Sequence, residues 1–372
     1  MNIFALPPRV IGVESVAEAA QVLGLGARDL LLTNEYIYDL YFKDKGIACL
    51  TLFQEEYGFG EPTDAMVDGI LAGLGQLAFD RIIAVGGGTI LDIAKLLAVA
   101  DGARSVEALY GNARALKKTH TLVAIPTTCG TGAEVTNIAV VNRTRLHTKD
   151  GLVSPELYAD CAVLVPELLD SLPYKVFATT SMDALIHAAE AYLSPQASPL
   201  SDMFAEKALQ LILRGYRLVA GRAADVWKDY APDFLTASNI AGAAFSNAGC
   251  AAVHALGYPL GSRFHIPHGE ANQVLFAPVL RKYEEKCPQG KLFALKMLLA
   301  NLLDCRMADA FERLFELMDG VLVRKAMHNY GVTEQDIGAF VPSVLESQQR
   351  LLRNNYTELT EKDMLAIYRS AF

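Results

Sequence analysis

Asp183 and His187 in SMDALIHAAEAYLS, with His254 and His268 in VHALGYPLGSRFHIPHGEAN, are the side chains whose types and spacing most clearly point to chemistry. One carboxylate and three imidazoles can hold a divalent transition metal and leave a coordination position open for a substrate oxygen. Asp183 and His187 stand four apart in a helical pattern, so they share one face. His254 is expected near the end of a helix of small residues, before Gly257, Pro259 and Gly261 break the pattern, and His268 in the Pro267 to Gly269 turn. Each histidine taken alone reads better as a satisfied core residue, and only the set weakens that reading. His120, His147 and His328 stand elsewhere in ordinary contexts.

A second group of residues suits an anionic ligand. Gly86, Gly87 and Gly88 follow the apolar run RIIAV and precede Thr89 and a helical pattern, ILDIAKLLAVA, that carries Asp92. Glycines at the end of a parallel strand let backbone N–H groups approach a phosphate, and the following helix adds a favourable dipole. The spacing is neither GxGxxG nor a Walker A sequence, so a structural tight turn remains the alternative. A second loop, PTTCGTGAE, offers Thr127, Thr128 and Thr131 as donors, although alone it would pass for an ordinary hydroxyl-rich turn. Two such loops at neighbouring strand ends favour a dinucleotide.

The elements that must position these groups divide the chain in two. Over residues 1–178, DLLLTN, IACLTLF, DRIIAVGGG and HTLVAIPTT read as buried strands that alternate with amphipathic patterns such as EPTDAMVDGILAGLGQLAF. That alternation predicts an α/β domain with a doubly wound parallel sheet covered on both faces. Over residues 179–372 the strand signals stop and helical patterns take over, which predicts an all-α domain with a ligand cleft against the first. The uncharged stretch Phe234 to Ser262 contains Gly, Ser, Asn, His and Pro throughout, so it reads as a closely packed internal helix and not as a membrane span.

Composition narrows the function classes. The chain has 372 residues, 52% hydrophobic and 20% charged, and a formal net charge of −9, with no basic cluster interleaved with aromatics. A disordered or fibrous protein is excluded, and nucleic acid and membrane are not expected as partners. Six cysteines without CxxC pairs suit reduced thiols and do not support a thiolate zinc site, and the N-terminus lacks a secretion pattern, so a cytoplasmic location is expected.

These motifs, in this order, resemble the iron-containing (group III) alcohol dehydrogenases. GGGTILDIAK resembles their glycine-rich cofactor signature, PTTCGTGAE their second cofactor loop, DALIHAAEAY the segment with two metal ligands, and the His254 to His268 spacing the remaining pair. The resemblance implies a dehydroquinate synthase-like architecture, NAD as cofactor, a possible homodimer, and Fe2+ (or Zn2+) held by Asp183, His187, His254 and His268. It also implies a Lewis-acid role for the metal in hydride exchange between a nicotinamide and a primary alcohol/aldehyde pair. LLTNEYIY, HALGYPLGS and IPHGEAN are most similar to members acting on 4-hydroxybutyrate and succinate semialdehyde. A short-chain alcohol or diol dehydrogenase is the alternative, and a dehydroquinate synthase-like lyase a more distant one, since the segments lack the Lys and Arg that a phosphorylated acidic substrate would need.

Departures from the family pattern mark the open points. Tyr258 stands where many members carry a histidine linked to proton relay, and a phenol with a reference pKa of about 10 is a poor base. Ala133 replaces the common serine of the second loop. Asn34 stands where NAD-preferring members often have Asp, with Glu35 beside it and no nearby cation to clamp a 2′-phosphate, so NAD is expected over NADP; the alternative for Asn34 is a plain helix N-cap. Lys149 matches a family lysine near the nicotinamide end of the cofactor, or is a solvated loop lysine. Arg263 and His265 are the sequence-visible candidates to meet a substrate carboxylate, or are surface loop residues.

Overall fold

Near-continuous apolar runs build the sheet of the first unit in the computed structural model, which describes residues 3–75, 77–100, 102–103, 105–146 and 148–372. His147 lies outside the described residues. In chain order the strands are β1 (Arg9–Gly12), β2 (Asp29–Thr33), β3 (Leu50–Phe53), β4 (Arg81–Gly86), β5 (Thr121–Pro126), β6 (Ile138–Arg143), β7 (Thr148–Val153) and β8 (Cys161–Leu164). Six of them pair in parallel in the order β1-β8-β5-β4-β2-β3, and β6 and β7 form a separate antiparallel ribbon. The helices of this unit are α1 (Val16–Leu23), α2 (Glu35–Tyr41), α3 (Asp64–Leu74), α4 (Gly88–Ala98) and α5 (Val106–Gly111).

Side-chain alternation covers both faces of this sheet. Leu30, Leu32, Ile82, Ala84, Leu122 and Ala124 turn one way into a core shared with Val67 and Ile70 of α3 and Leu91 and Ala94 of α4. Leu31, Ile83, Val85, Val123 and Ile125 turn the other way and pack with Val16 of α1 and Ile37 of α2. Each Val, Leu or Ile among them contributes about 1.5–3 kcal/mol when fully buried. The sheet is therefore doubly wound, as its sequence predicts. Its edge strand β1 and the strand β7 have no sequence signal of that kind, because β1 is mostly exposed and β7 reads TKDGLV.

The second unit is helical: α6 (Tyr174–Leu193), α7 (Pro199–Val219), α8 (Ala231–Ala248), α9 (Ala252–Phe264), α10 (His268–Lys286), α11 (Gly290–Leu303), α12 (Ala310–Val321), α13 (Glu334–Ser347), α14 (Gln349–Leu352) and α15 (Glu361–Ala371). The division falls before Pro173 and not after residue 178, because Pro173 is the N-cap of α6, which runs unbroken through that point. Residues 3–5 also belong with the helices and not with the α/β unit. Ala5 exchanges backbone hydrogen bonds of 2.6 and 2.9 Å with the Asn247 amide, and the Phe4 ring packs 5.0 Å from Phe204.

The single small-residue helix expected over Phe234 to Ser262 is instead two, α8 and α9, bent by 108° at Gly249 to Ala251. Gly249 takes φ 82°, and a Cβ there would lie 2.3 Å from Asn354 Nδ2, so only glycine fits the break. No single helix among the described residues is long and apolar enough to cross a membrane.

Candidate functional site

The break between α8 and α9 places His254 in the first turn of a helix, not near the end of one. Asp183, His187 and Glu190 lie on one buried face of α6 at spacings of four and three. His268, expected in the Pro267 to Gly269 turn, is the first residue of α10, with Pro267 as N-cap. A Cβ on the next residue, Gly269, would lie 2.0 Å from Thr179 O and 3.2 Å from Asp183 Cβ. The missing side chain at 269 is what lets α10 start against α6 and brings His268 to Asp183.

The four expected ligands converge as a result. Asp183 Oδ1 is 3.5 Å from His254 Nε2 and 3.8 Å from His268 Nε2, and Asp183 Oδ2 is 3.9 Å from His187 Nε2. The His187 ring is stacked between Phe245 at 4.2 Å and His254 at 4.6 Å. Glu190 orients the third candidate ligand: its Oε2 lies 2.6 Å from His254 Nδ1 and accepts from Ala251 N at 2.9 Å, while its Oε1 accepts from Val253 N at 2.7 Å. One carboxylate thus caps α9 and fixes the His254 ring. Asn272 donates to Asp183 Oδ1 at 2.9 Å and lies 3.3 Å from His268 Nε2.

Electrostatics follow from this packing. Burial works to raise the Asp183 carboxyl, but His187 first, then His268 and His254, hold it well below the usual carboxylate range. Burial works to lower the His254 imidazole, but Glu190 and Asp183 push it up to about 9. His254 Nε2 is buried with no hydrogen-bond partner and points to the acidic centre. A buried ring nitrogen without an acceptor, beside a carboxylate and two further imidazoles, fits a bound cation, which would displace the His254 proton.

The neighbouring candidates are placed differently. Tyr258, one turn beyond His254 on α9, is buried with its ring 5.9 Å from that of His268. His265 is exposed, ends α9 in a left-handed conformation with φ 54°, and joins no metal-ligand cluster among the described residues. Arg263 lies 3.9 Å from Asp336 and 5.7 Å from the Phe340 ring, so its cation is turned to α13. Cys250, in the helix break, forms with His187 and His254 a second trio whose ligand atoms lie within 4.8 Å of one another. The absence of CxxC pairs concealed that thiol, and Glu190 was concealed because a helical glutamate ordinarily faces water.

The α/β unit carries the cofactor candidates at the carboxyl ends of adjacent strands. Gly86 ends β4, Gly87 is the N-cap of α4, and Gly88 begins that helix. A Cβ on Gly88 would lie 2.9 Å from the Thr131 methyl and one on Gly87 3.4 Å from the Thr128 methyl, so the two loops face each other across bare backbone. That cradle, which side chains would fill, fits an anion. Thr127 N donates to Gly86 O at 3.1 Å, and Thr89 Oγ1 to Gly60 O at 3.2 Å. Asp92 has both oxygens engaged, with Lys95 Nζ at 3.1 Å and Val140 N at 3.0 Å, and ties α4 to β6. Lys149 is on β7, not in a loop, and is mostly buried with Glu61 at 2.8 Å. Asn34 occupies the N-cap of α2, but its side chain makes no cap hydrogen bond.

The chain matches two family models in tandem: "Iron-containing alcohol dehydrogenase" over residues 7–166 and "Fe-containing alcohol dehydrogenase family, C-terminal" over residues 177–372. It belongs to the iron-containing alcohol dehydrogenases. It is 44% identical over 372 residues to the 4-hydroxybutyrate dehydrogenase of Clostridium kluyveri, covering 100% of both chains. A solved 1,3-propanediol oxidoreductase is 28% identical with a TM-score of 0.83 over 99% of each chain. The sulfoacetaldehyde reductase of Bifidobacterium kashiwanohense, solved in complex with NAD+, shares the fold with a TM-score of 0.85 at 24% identity, over 99% of this chain and 98% of that one.

For an iron-containing dehydrogenase the donor set is chemically apt. Three imidazoles with one carboxylate suit a later divalent transition metal, whereas Mg2+ would want oxygen alone. Membership of the family makes the chain an oxidoreductase of alcohols.

Proposed function

We propose that this dehydrogenase transfers hydride between NAD(H) and 4-hydroxybutyrate/succinate semialdehyde, with Asp183, His187, His254 and His268 holding Fe2+. The observation that carries the substrate is the 44% identity, end to end, with the 4-hydroxybutyrate dehydrogenase of Clostridium kluyveri. A divalent ion in this donor set supplies Lewis acidity to a substrate oxygen. The protein's own contributions are distinct from that. Asp183 places a negative charge among three imidazoles, Glu190 and Asn272 hold ligand orientation, and the bare backbone of Gly87 and Gly88 leaves room for a pyrophosphate beside Thr128 and Thr131. Tyr258 is the side chain whose hydroxyl could hand a proton on beside His268, in place of the histidine that other members carry there.

A diol dehydrogenase is the second reading, supported by the likeness to the 1,3-propanediol oxidoreductase. Zn2+ is the alternative metal, supported by Cys250 beside His187 and His254, since zinc accepts thiolate with imidazole. A homodimer, which sedimentation would test, and a cytoplasmic setting, in keeping with six free cysteines, complete the proposal. The deciding experiment is an anaerobic assay with Fe2+ and NADH on succinate semialdehyde, butanal and lactaldehyde. The proposal expects the highest kcat/KM with succinate semialdehyde; a preference for either uncharged aldehyde overturns it in favour of the second reading.

A further inference from the structure

Position 34, at the end of β2, carries an amide where a dinucleotide site that favours NAD ordinarily has a carboxylate for the ribose hydroxyls. Asn34 is not alone there. Its Nδ2 donates to Glu55 Oε1 at 3.0 Å and to Gln54 Oε1 at 3.1 Å, and the Glu55 carboxylate also accepts from Glu35 N at 3.2 and 3.3 Å. Glu55 follows the neighbouring strand β3, so a carboxylate absent from the end of β2 reaches the same place from the next strand.

The same residues connect to the phosphate cradle. Thr33 Oγ1 donates to Val85 O at 2.8 Å, which ties the residue before Asn34 to the residue before Gly86. Gln54 Nε2 donates to Gly60 O at 3.1 Å, the carbonyl that also accepts from Thr89 Oγ1 at 3.2 Å. A continuous hydrogen-bonded path therefore runs from Glu55 through Asn34, Gln54 and Gly60 to the first turn of α4. No Lys or Arg forms an ion pair with Glu55 among the described residues, and it is only partly buried. Its charge is left to act on a ligand.

We infer that Glu55, held by Asn34, is the residue that selects NAD over NADP in this protein, by accepting from the adenosine ribose hydroxyls and repelling a 2′-phosphate. The inference rests on the nicotinamide-dependent function proposed above. Glu55→Gln keeps the shape and one acceptor for the α2 backbone while removing the charge.

Calorimetric titration of NADH and NADPH into the intact protein tests this without turnover. The wild type is expected to bind NADH more tightly, and Glu55→Gln to narrow the NADPH:NADH ratio of Kd values on the order of tenfold, as for one unit charge removed at close range in a partly solvated site. Raising ionic strength on the unaltered protein should narrow the same ratio, because repulsion is screened, whereas a cationic clamp would lose NADPH instead. A wild-type preference for NADPH, or a ratio unchanged both by Glu55→Gln and by salt, overturns the role of Glu55 while leaving the proposed function standing. Failure of the wild type to bind either nucleotide overturns that function and this inference with it.

Discussion

Glu190 Oε2 sits 2.6 Å from His254 Nδ1, and the same carboxylate accepts from Ala251 N and Val253 N at the start of α9. The helix break and the orientation of a proposed metal ligand are therefore one structural device. A ring nitrogen fixed as donor to a carboxylate leaves the other as a basic ligand. Glu190→Gln is expected to weaken metal affinity by roughly 10–100-fold, the usual effect of losing such a partner. Chelator competition measures this, with melting of the metal-free protein as control; unchanged affinity would reduce Glu190 to a helix cap.

His268, proposed as the fourth metal ligand, is the first residue of α10, and its Nε2 stands 3.8 Å from Asp183 Oδ1. Truncation to His268→Ala should remove tight metal binding and turnover together, because the remaining donors lose a quarter of the set. Metal analysis after gel filtration, alongside NADH oxidation by aldehyde, checks both. Full metal content with normal activity would remove His268 from the site.

Gly269 and Gly338 make a matched pair of opposite sign. A Cβ at Gly269 would collide with Thr179 O at 2.0 Å, whereas at Gly338, exposed within α13, it would meet nothing within 4 Å. Gly269→Ala is expected to destabilise by about 1–3 kcal/mol through overpacking and to loosen metal binding by displacing His268. Gly338→Ala should stabilise by up to about 1 kcal/mol through helix propensity alone. Urea titrations of both variants decide; a stable Gly269→Ala protein with unchanged metal affinity would contradict the close-approach argument.

Much of this arrangement is legible in the sequence because regular elements carry their own spacing. Asp183 and His187 share a face wherever the helix runs straight, and the runs at Leu30 to Leu32 and Ile82 to Val85 are apolar because both faces of their strands are buried. Legibility ended where a long-range partner decides the outcome. Gly249 breaks the small-residue helix through Asn354, more than a hundred positions away, and no local signal separates it from Gly242 within α8. Glu55 and Asn34 meet only through the pairing of β2 with β3, and Lys95 looks like an amphipathic-helix lysine until β6 covers it.

Asp363 ties pH to the stability of the last helix. Burial works to raise its carboxyl, but Lys286 and Thr360 donate to it and hold it down at about 2. A depressed folded value means that the stabilisation is complete above the unfolded value of about 3.9 and is lost as pH falls toward 2. Asp363→Asn should lower stability at neutral pH by on the order of 1 kcal/mol and flatten the acid limb between those two values. Melting curves across that range test the sign; a variant that keeps the wild-type slope would show that other carboxylates set it.

Lys95 is fully buried, and its ammonium donates to Asp92 at 3.1 Å, Thr136 Oγ1 at 2.9 Å and Ile138 O at 2.7 Å. It thus fastens α4, whose N-terminus is the cradle proposed to hold phosphate, to the β6–β7 ribbon. Lys95→Met fills the stem's volume but strands the Asp92 carboxylate, 14% exposed, with Val140 N as its remaining partner. Removing one member of a buried pair costs about 3–5 kcal/mol. The variant is expected to melt well below the wild type and, because α4 loses its anchor, to bind NADH more weakly at temperatures where it is still folded. Paired calorimetric measurements of unfolding and of NADH binding separate the two effects: a destabilised variant with wild-type NADH affinity would confine Lys95 to the stability of the unit and free the cradle from its influence.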